Sequence, residues 1–477
     1  MIKNFALKKI KEFFSFEPTP EQASVLQSLT FFLVSTEQNA VFLFKGFAGT
    51  GKTTLLASAV KMMDSLNQKV ILMAPTGRAA KVFANYSGHA AFTIHKKIYR
   101  QKSLADIDGG FSLADNMHRD TLFIVDEASM ISNDASAAAF FGSGRLLDDL
   151  VKYVYSGDGC RLILVGDTAQ LPPVARNSAP GITSPALDPE CLRRYNLDVT
   201  EVRLTQVVRQ AEGSGILVNA TSIREALRTG KIDIYPKIKT TGYPDIRKIG
   251  GDELIEELSS AYSRDGLDET VVIVRSNKNA NIYNNGIRNR ILYREEEISS
   301  GDRLMVVKNN YLRNDGGKKD AKESIDFIAN GETVRVLRVR RTEELYGFRF
   351  CNVLVAFEDY DLEMELKILL DTLQVEAPSL TKEQNEQLFA AVAEDYSDIA
   401  DRRERLKKIK NDPYLNAVQV KYAYAVTCHK AQGGQWSNVF LDVGYVTEEM
   451  MGEDFYRWLY TAFTRATHCL YLVNWKM

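Results

Sequence analysis

Long apolar runs are missing from this chain of 477 residues. None approaches the roughly 18 residues of a membrane-spanning helix, so no membrane role is expected. The first sixteen residues, MIKNFALKKIKEFFSF, are basic and apolar but lack a small-residue cleavage site. Lys8, Lys9, Lys11 and Glu12 interrupt the stretch, so it reads as an amphipathic helix capping the first domain rather than a secretion signal. Cysteine is scarce: Cys160, Cys191, Cys351, Cys428 and Cys469 are scattered without paired spacing. That excludes a disulfide framework and a zinc site, and points to the cytoplasm. Charge of one sign is lacking too, with 60 Lys and Arg against 62 Asp and Glu. A protein that held many phosphates statically would be basic, although a local basic groove is compatible with this balance. There is no internal repeat at solenoid periods and no low-complexity tract.

What is present is ordinary globular composition, 45% hydrophobic and 26% charged, in a chain too long for one core. Two to four domains are expected. Short apolar runs rich in β-branched residues stand at 40–45 (AVFLFK), 69–74 (KVILMA), 121–125 (TLFIV) and 161–165 (RLILV). They suit doubly covered strands of a parallel sheet, and helical patterns such as 52–66 lie between them, so the class is α/β. This first unit spans 1–200, with a small insertion at 96–119 whose Asp108 and Gly109 suit a hairpin turn. A second unit of the same kind takes 201–303 and 421–477, with strands at 270–275, 439–443 and 470–473 and a helix at 281–290. Between its halves, 304–420 has a different texture. Strand-like stretches at 332–339, 348–357 and 362–370 precede one long charged helix at 381–410. This reads as an inserted β-rich domain, with the charge run 401–410 a solvated helix face.

Chemistry concentrates first at GFAGTGKT, residues 46–53, which satisfies G-x-x-x-x-G-K-[ST] between a strand and a helix. The glycines let backbone N–H groups close on phosphates at a helix N-terminus. Gly49, Thr50, Gly51, Lys52, Thr53 and Thr54 are thus expected to bind ATP. Lys52 reaches the β- and γ-phosphates, and Thr53 holds Mg²⁺. Asp126 and Glu127 follow the strand at 121–125, Asp126 for Mg²⁺ and Glu127 to polarise the attacking water. A carboxylate in that last role separates a hydrolase from a small-molecule kinase. Gln170 follows the strand at 161–165 and is placed to sense the γ-phosphate, with Pro172 and Pro173 stiffening the loop beyond.

In order and wording these motifs resemble the superfamily 1B helicases of the RecD and Dda type, from TPEQ at 19–22 to FTRA at 463–466. The resemblance implies two RecA-like P-loop motor domains, a pin in the first and an SH3-like β-rich domain inserted in the second. It implies that Gln22 reads adenine, that Gln435 contacts ribose, and that Arg209 and Arg465 touch the γ-phosphate, Arg465 as an arginine finger. DNA contacts are implied for Pro75 and Thr76 (APTGRAA), Thr93 and His95 (TIH), Asn277, and Thr427, His429 and Lys430 (TCHKAQGGQ). Phe92, Tyr99 and Phe111 are candidates to stack bases or form the pin. Missing from the family's wider range are a nuclease-like acidic cluster and a long N-terminal extension, so a compact Dda-like protein fits best.

The activity so implied is an ATP- and Mg²⁺-dependent DNA helicase. It would move 5′-to-3′ on single-stranded DNA as a monomer and open forked or tailed duplexes. The residues leave two alternatives open: a translocase that remodels protein–DNA complexes, and a P-loop switch or kinase without nucleic acid. RNA as the track is a weaker variant.

Overall fold

The computed structural model describes residues 2–101, 111–134, 142–173, 184–208, 213–232, 236–311, 327–358 and 362–475. Arg209 and the expected turn at Asp108 and Gly109 lie outside these residues. The first sheet has six parallel strands in the order Ala91–Thr93, Lys69–Ala74, Thr121–Val125, Arg161–Gly166, Ala40–Gly46, Asp198–Leu204. Alternate side chains of the central strand feed two cores: Phe42 and Phe44 pack against the helices Pro20–Leu33 and Lys52–Ser65, whereas Val41 and Leu43 pack with the helix Leu146–Tyr155. Helices on both faces are why these strands are continuous apolar runs. The N-terminal helix Ile2–Phe13 buries Ala6 and Ile10 in the first of those cores.

The boundary expected at 200 falls inside the strand Asp198–Leu204. Its register with Ala40–Gly46 is unbroken from Ala40↔Asp198 to Gly46↔Leu204, so the first sheet carries the chain to Leu204. Only four of its residues lie beyond 200, and exposed alternate positions made the run look like a fresh start.

The second sheet is also parallel, in the order Ala425–Thr427, Thr270–Val274, Trp436–Asp442, Ala466–Val473, Ile246–Ile249. Between its strands a closed barrel is inserted, built from Arg303–Val306, Thr333–Leu345, Phe348–Phe357, Glu363–Leu369 and Val418–Tyr422. Entry and exit strands pair side by side, Leu304 opposite Tyr422. At the root, the fully buried Asp302 carboxylate accepts from Arg288 (3.0 Å), Arg294 (2.7 Å) and the Tyr424 hydroxyl (2.9 Å). Arg303, also buried, forks onto Glu358 (2.6 and 2.7 Å) and donates to the Leu267 carbonyl (2.7 Å). Burial pushes the Glu358 carboxyl up, but Arg303 outweighs it and holds the group at about 2.

The single helix expected at 381–410 is two, Lys382–Glu394 and Arg402–Asn411. Asp401 starts the second by accepting from the N–H groups of Arg403 (2.7 Å) and Glu404 (3.1 Å), which ends helical continuity. Between the helices, Asp395 takes a hydrogen bond from Tyr346 of the barrel, and Tyr396 donates to Asp412 (2.9 Å). Among the described residues no helix is long and apolar enough to cross a membrane.

Candidate nucleotide and nucleic-acid sites

The phosphate loop leaves the strand Ala40–Gly46 and enters the helix Lys52–Ser65. Gly49 and Gly51 hold φ of +74° and +87°, a left-handed region that L side chains avoid. A Cβ on Gly51 would come within 2.7 Å of Gln22 Nε2. The loop folds on itself around the Phe47 carbonyl, which accepts from Lys52 Nζ (2.9 Å) and Thr50 Oγ1 (2.7 Å). That ammonium is thereby aimed back over the loop that would cradle phosphate. Thr53 and Thr54 occupy the helix's first turn, half-buried. Gln22 closes the rear: its amide nitrogen donates to the Thr50 carbonyl (3.0 Å), and its amide oxygen accepts from Thr19 N (3.0 Å) within a capping box.

Asp126 and Glu127 stand at the end of the fully buried strand Thr121–Val125. Burial, followed by the charge of Glu127, holds the Asp126 carboxyl well above the usual carboxylate range. Its Oδ1 accepts from Glu127 N (2.8 Å), and Glu127 itself sits at φ 53°. A left-handed glutamate is a local strain tolerated where the side chain must point one way. Two adjacent carboxylates suit a hard divalent cation such as Mg²⁺, and the Lys52 charge acting on Asp126 ties this strand end to the phosphate loop. No group of three or more potential metal-binding side chains occurs among the described residues. Gln170 is buried in the turn after Asp167, and its Oε1 has no hydrogen-bond partner among the described residues.

Across the cleft the second unit supplies Arg465, 3% exposed. It is held by the carbonyls of Thr461 (3.0 Å) and Gly434 (3.1 Å) and by Thr464 Oγ1 (3.2 Å). Its Nη1 comes within 3.9 Å of Glu127 Oε1. Tyr460 is a further bridge that the sequence reading passed over. Its hydroxyl accepts from Ala48 N of the phosphate loop (2.9 Å) and donates to Asp167 (2.6 Å). Leu171 N donates to Thr461 Oγ1 (2.9 Å), Gln432 Nε2 to the Leu171 carbonyl (2.8 Å), and Arg457 to the Thr168 carbonyl (2.6 Å). Gln435 is exposed and keeps no side-chain tie to this cleft; its carbonyl accepts from Arg78 (2.9 Å).

The residues expected at nucleic acid lie at strand ends that become helix starts. Thr76 follows the strand Lys69–Ala74 and Pro75, and caps Gly77–Ser87 by accepting from Ala79 N (3.2 Å). Thr93 caps Ile94–Ile98 through Lys96 N (3.2 Å). Asn277 opens Asn277–Arg290 behind Ser276, and Thr427 opens Cys428–Ala431. Asn277, Thr427 and Lys430 line one small hollow with Asn281 and Lys421. Burial, then the nearby Lys421 charge, pushes the Lys430 ammonium down to about 8. His95, half-buried against Tyr99, is pushed to about 4 by burial and stays neutral; His429 lies at the surface, yet burial of its ring lowers it as well. The segments at 74–80 and 427–435 meet at Gly433, φ +73°, where a Cβ would lie 3.1 Å from Thr76 Oγ1 and 2.9 Å from Ala79 Cβ. Arg78, expected only as part of the APTGRAA segment, stacks on Trp436 at 4.2 Å and binds the second unit's backbone.

Of the three aromatic candidates for the pin, Tyr99 and Phe111 are buried in two short antiparallel strands, Tyr99–Gln101 and Phe111–Leu113. Tyr99 donates to Asp149 (2.7 Å), so core packing claims both. Phe92 alone of the three is exposed.

A phosphate loop, an acidic strand end and an arginine from a second parallel sheet define a two-domain P-loop ATPase. The comparisons agree. Residues 18–239 match the AAA domain model and 422–473 the UvrD-like helicase C-terminal domain. The ATP-dependent DNA helicase dda of Enterobacteria phage T4 is 24% identical over 83% of this chain and 86% of its own. The ATP-dependent RecD2 DNA helicase of Deinococcus radiodurans is 31% identical over 41% of this chain, which covers 22% of that protein. A Pif1 helicase from Bacteroides, solved with ADP-AlF3 and single-stranded DNA, superposes with a TM-score of 0.51 over 97% of this chain and 94% of its own. At 16% identity that likeness speaks for the fold. The chain belongs to the Pif1/RecD/Dda-like superfamily 1B helicases, and its enzyme class is ATP-dependent DNA helicase.

Proposed function

We propose that this protein moves 5′-to-3′ along single-stranded DNA and spends each ATP on a cycle of cleft closure and opening that separates forked or tailed duplexes. The observation that carries the coupling is the reach of Arg465 to within 3.9 Å of Glu127. An arginine fixed to one domain and a carboxylate fixed to the other meet only when the cleft is closed. Glu127 orients and polarises the attacking water. Lys52, Arg465 and Arg209 oppose the charge that develops on the transferring phosphoryl group. Gln170, through its orphan amide oxygen, accepts from that water and holds it in line. Gln22 faces the base and Gln435 the sugar. Mg²⁺, held through Thr53 and Asp126, neutralises phosphate charge when bound.

The track lies across the starts of the helices capped by Thr76 and Thr93 and those opened by Asn277 and Thr427. Backbone N–H groups there favour phosphates without reading sequence. Pro75 shapes the first of these turns, His95 packs beneath the second, and His429 and Lys430 face the backbone of the strand. The direction of travel rests on the family likeness. The test is ATP hydrolysis with and without single-stranded DNA, then unwinding of duplexes bearing a 5′ or a 3′ tail. Stimulation with opening from the 5′ tail alone is the expected result; hydrolysis indifferent to DNA, or opening from the 3′ tail, overturns it.

A further inference from the structure

We propose that the helix Arg402–Asn411 is a docking surface for the backbone of duplex DNA, separate from the single-strand track; this rests on the motor reading above. Six of its ten residues are Lys or Arg, and Glu404 is its one carboxylate. In a chain with more acidic than basic residues overall, that concentration is local. A helix that needs only solvation mixes its signs, because like charges three or four positions apart oppose helix formation. Here Arg402 and Arg405, Arg403 and Lys407, Arg405 and Lys408, and Lys407 and Lys410 are all such like pairs. Lys408 has Glu404 at 3.8 Å, but Arg402, Arg403 and Lys407 are exposed with no carboxylate at ion-pair distance among the described residues. The neighbouring helix Lys382–Glu394 does balance itself, pairing Lys382 with Glu386. Self-repulsion of this kind is relieved by a polyanion.

The helix is also held still and held out. Ile409 is buried with Leu388, Val392, Phe348 and Phe350, and Asn416 donates to the Lys410 carbonyl (2.7 Å). Phe348 begins the ten-residue strand Phe348–Phe357, whose far end leads to Glu358. The Glu358 carbonyl takes a hydrogen bond from Lys81 of the first motor domain. The helix therefore packs at the Phe348 end of that strand, and the contact with the first motor domain lies at its other end, roughly 33 Å of extended strand away. A duplex arm passing the barrel meets the exposed basic side chains of a helix about 15 Å long, enough to face several phosphates.

The test uses the full chain carrying Arg403→Glu and Lys407→Glu, with Arg403→Gln and Lys407→Gln as the neutral counterpart. Binding to a tailed duplex is measured across a salt series, beside hydrolysis stimulated by a single-stranded oligonucleotide confined to the track. The expected result is a tailed-duplex affinity lower by on the order of tenfold and a log–log salt slope shallower by about 2, with the stimulated hydrolysis unchanged. The neutral variant, relieved of repulsion, melts no lower than wild type, which separates loss of contact from loss of fold. Unchanged duplex affinity and slope overturn the proposal. So does an equal loss on the short single strand, which moves the helix to the track, or loss of a protein partner alone. A wild-type enzyme that ignores single-stranded DNA fails the motor reading instead, and its duplex salt series still reports on the helix.

Discussion

Tyr460 carries two hydrogen bonds from the second motor domain to the first, so the part its hydroxyl plays in closure can be weighed by itself. Tyr460→Phe keeps the buried ring and deletes the oxygen between Ala48 N (2.9 Å) and Asp167 Oδ2 (2.6 Å). Burial, then Asp167, pushes the phenol far above its ordinary range, so it is a donor to the carboxylate at any working pH. A hydrogen bond to a charged group contributes about 1.5–3 kcal/mol and a neutral one about 0.5–1.5. When the cleft opens, water satisfies both partners, so the whole loss falls on the closed state. Taking about 2 kcal/mol as the lower bound, the closed-to-open ratio drops roughly 30-fold. The assay is DNA-stimulated hydrolysis at saturating ATP, beside nucleotide binding by fluorescence. We expect kcat to fall by at least about tenfold with ATP affinity changed less than about threefold, since Lys52 and the loop glycines are untouched. A variant with kcat within twofold of wild type would refute the reasoning, because the bridge would then contribute nothing to closure.

Arg465→Ala is expected to bind ATP but lose on the order of 10³ in hydrolysis, as removal of an arginine finger does; unchanged stimulated turnover removes the assignment. Lys52→Ala is expected to abolish hydrolysis, and near-normal turnover would dismiss the phosphate loop as the site. Gly433→Ala puts a Cβ 2.9 Å from Ala79 Cβ at a left-handed φ, which costs about 1–2 kcal/mol. It is expected to lower the melting temperature and blunt stimulation by DNA while leaving basal hydrolysis intact, and full stimulation would argue against the Thr76–Gly433 contact as a coupling point. Lys430, pushed down to about 8, is charged below that pH and loses its proton above it, so single-strand affinity is expected to fall between pH 7 and 9. Lys430→Arg stays charged and should flatten the profile; an identical slope in the variant assigns the dependence elsewhere.

The strands of the first sheet were legible because both faces are covered, which makes them uninterrupted apolar words such as TLFIV at Thr121–Val125. The phosphate loop was legible because glycine, lysine and threonine are dictated by backbone geometry and charge. Tyr460 was not, since within the buried helix Glu453–Phe463 a tyrosine that bridges two domains is written like one that fills a core. The tie that Arg78 makes was hidden for a related reason: its partners, Trp436 and the Gln435 carbonyl, are more than three hundred residues away in the chain. The break between the two helices of the insert was readable after all. Asp401 followed by Glu404 is a helix start, and it went unread because the charge pattern on either side looked continuous.

The clasp between the motor domains is made largely to main-chain atoms of the first: Ala48 N, Leu171 N, and the carbonyls of Thr168 and Leu171. A peptide group looks the same whichever side chain it bears. Position 168 is therefore free to drift without loosening the grip, provided the loop keeps its path, whereas Leu171 and Ala48 are held besides by packing against the second unit's core. The burden of identity falls on the other partner, where Tyr460, Thr461, Arg457 and Gln432 must supply particular atoms. Such an interface is a handshake in which one hand wears a glove: the first domain can diversify toward new nucleotide-loop neighbours while the second remains the fixed gauge against which closure is measured.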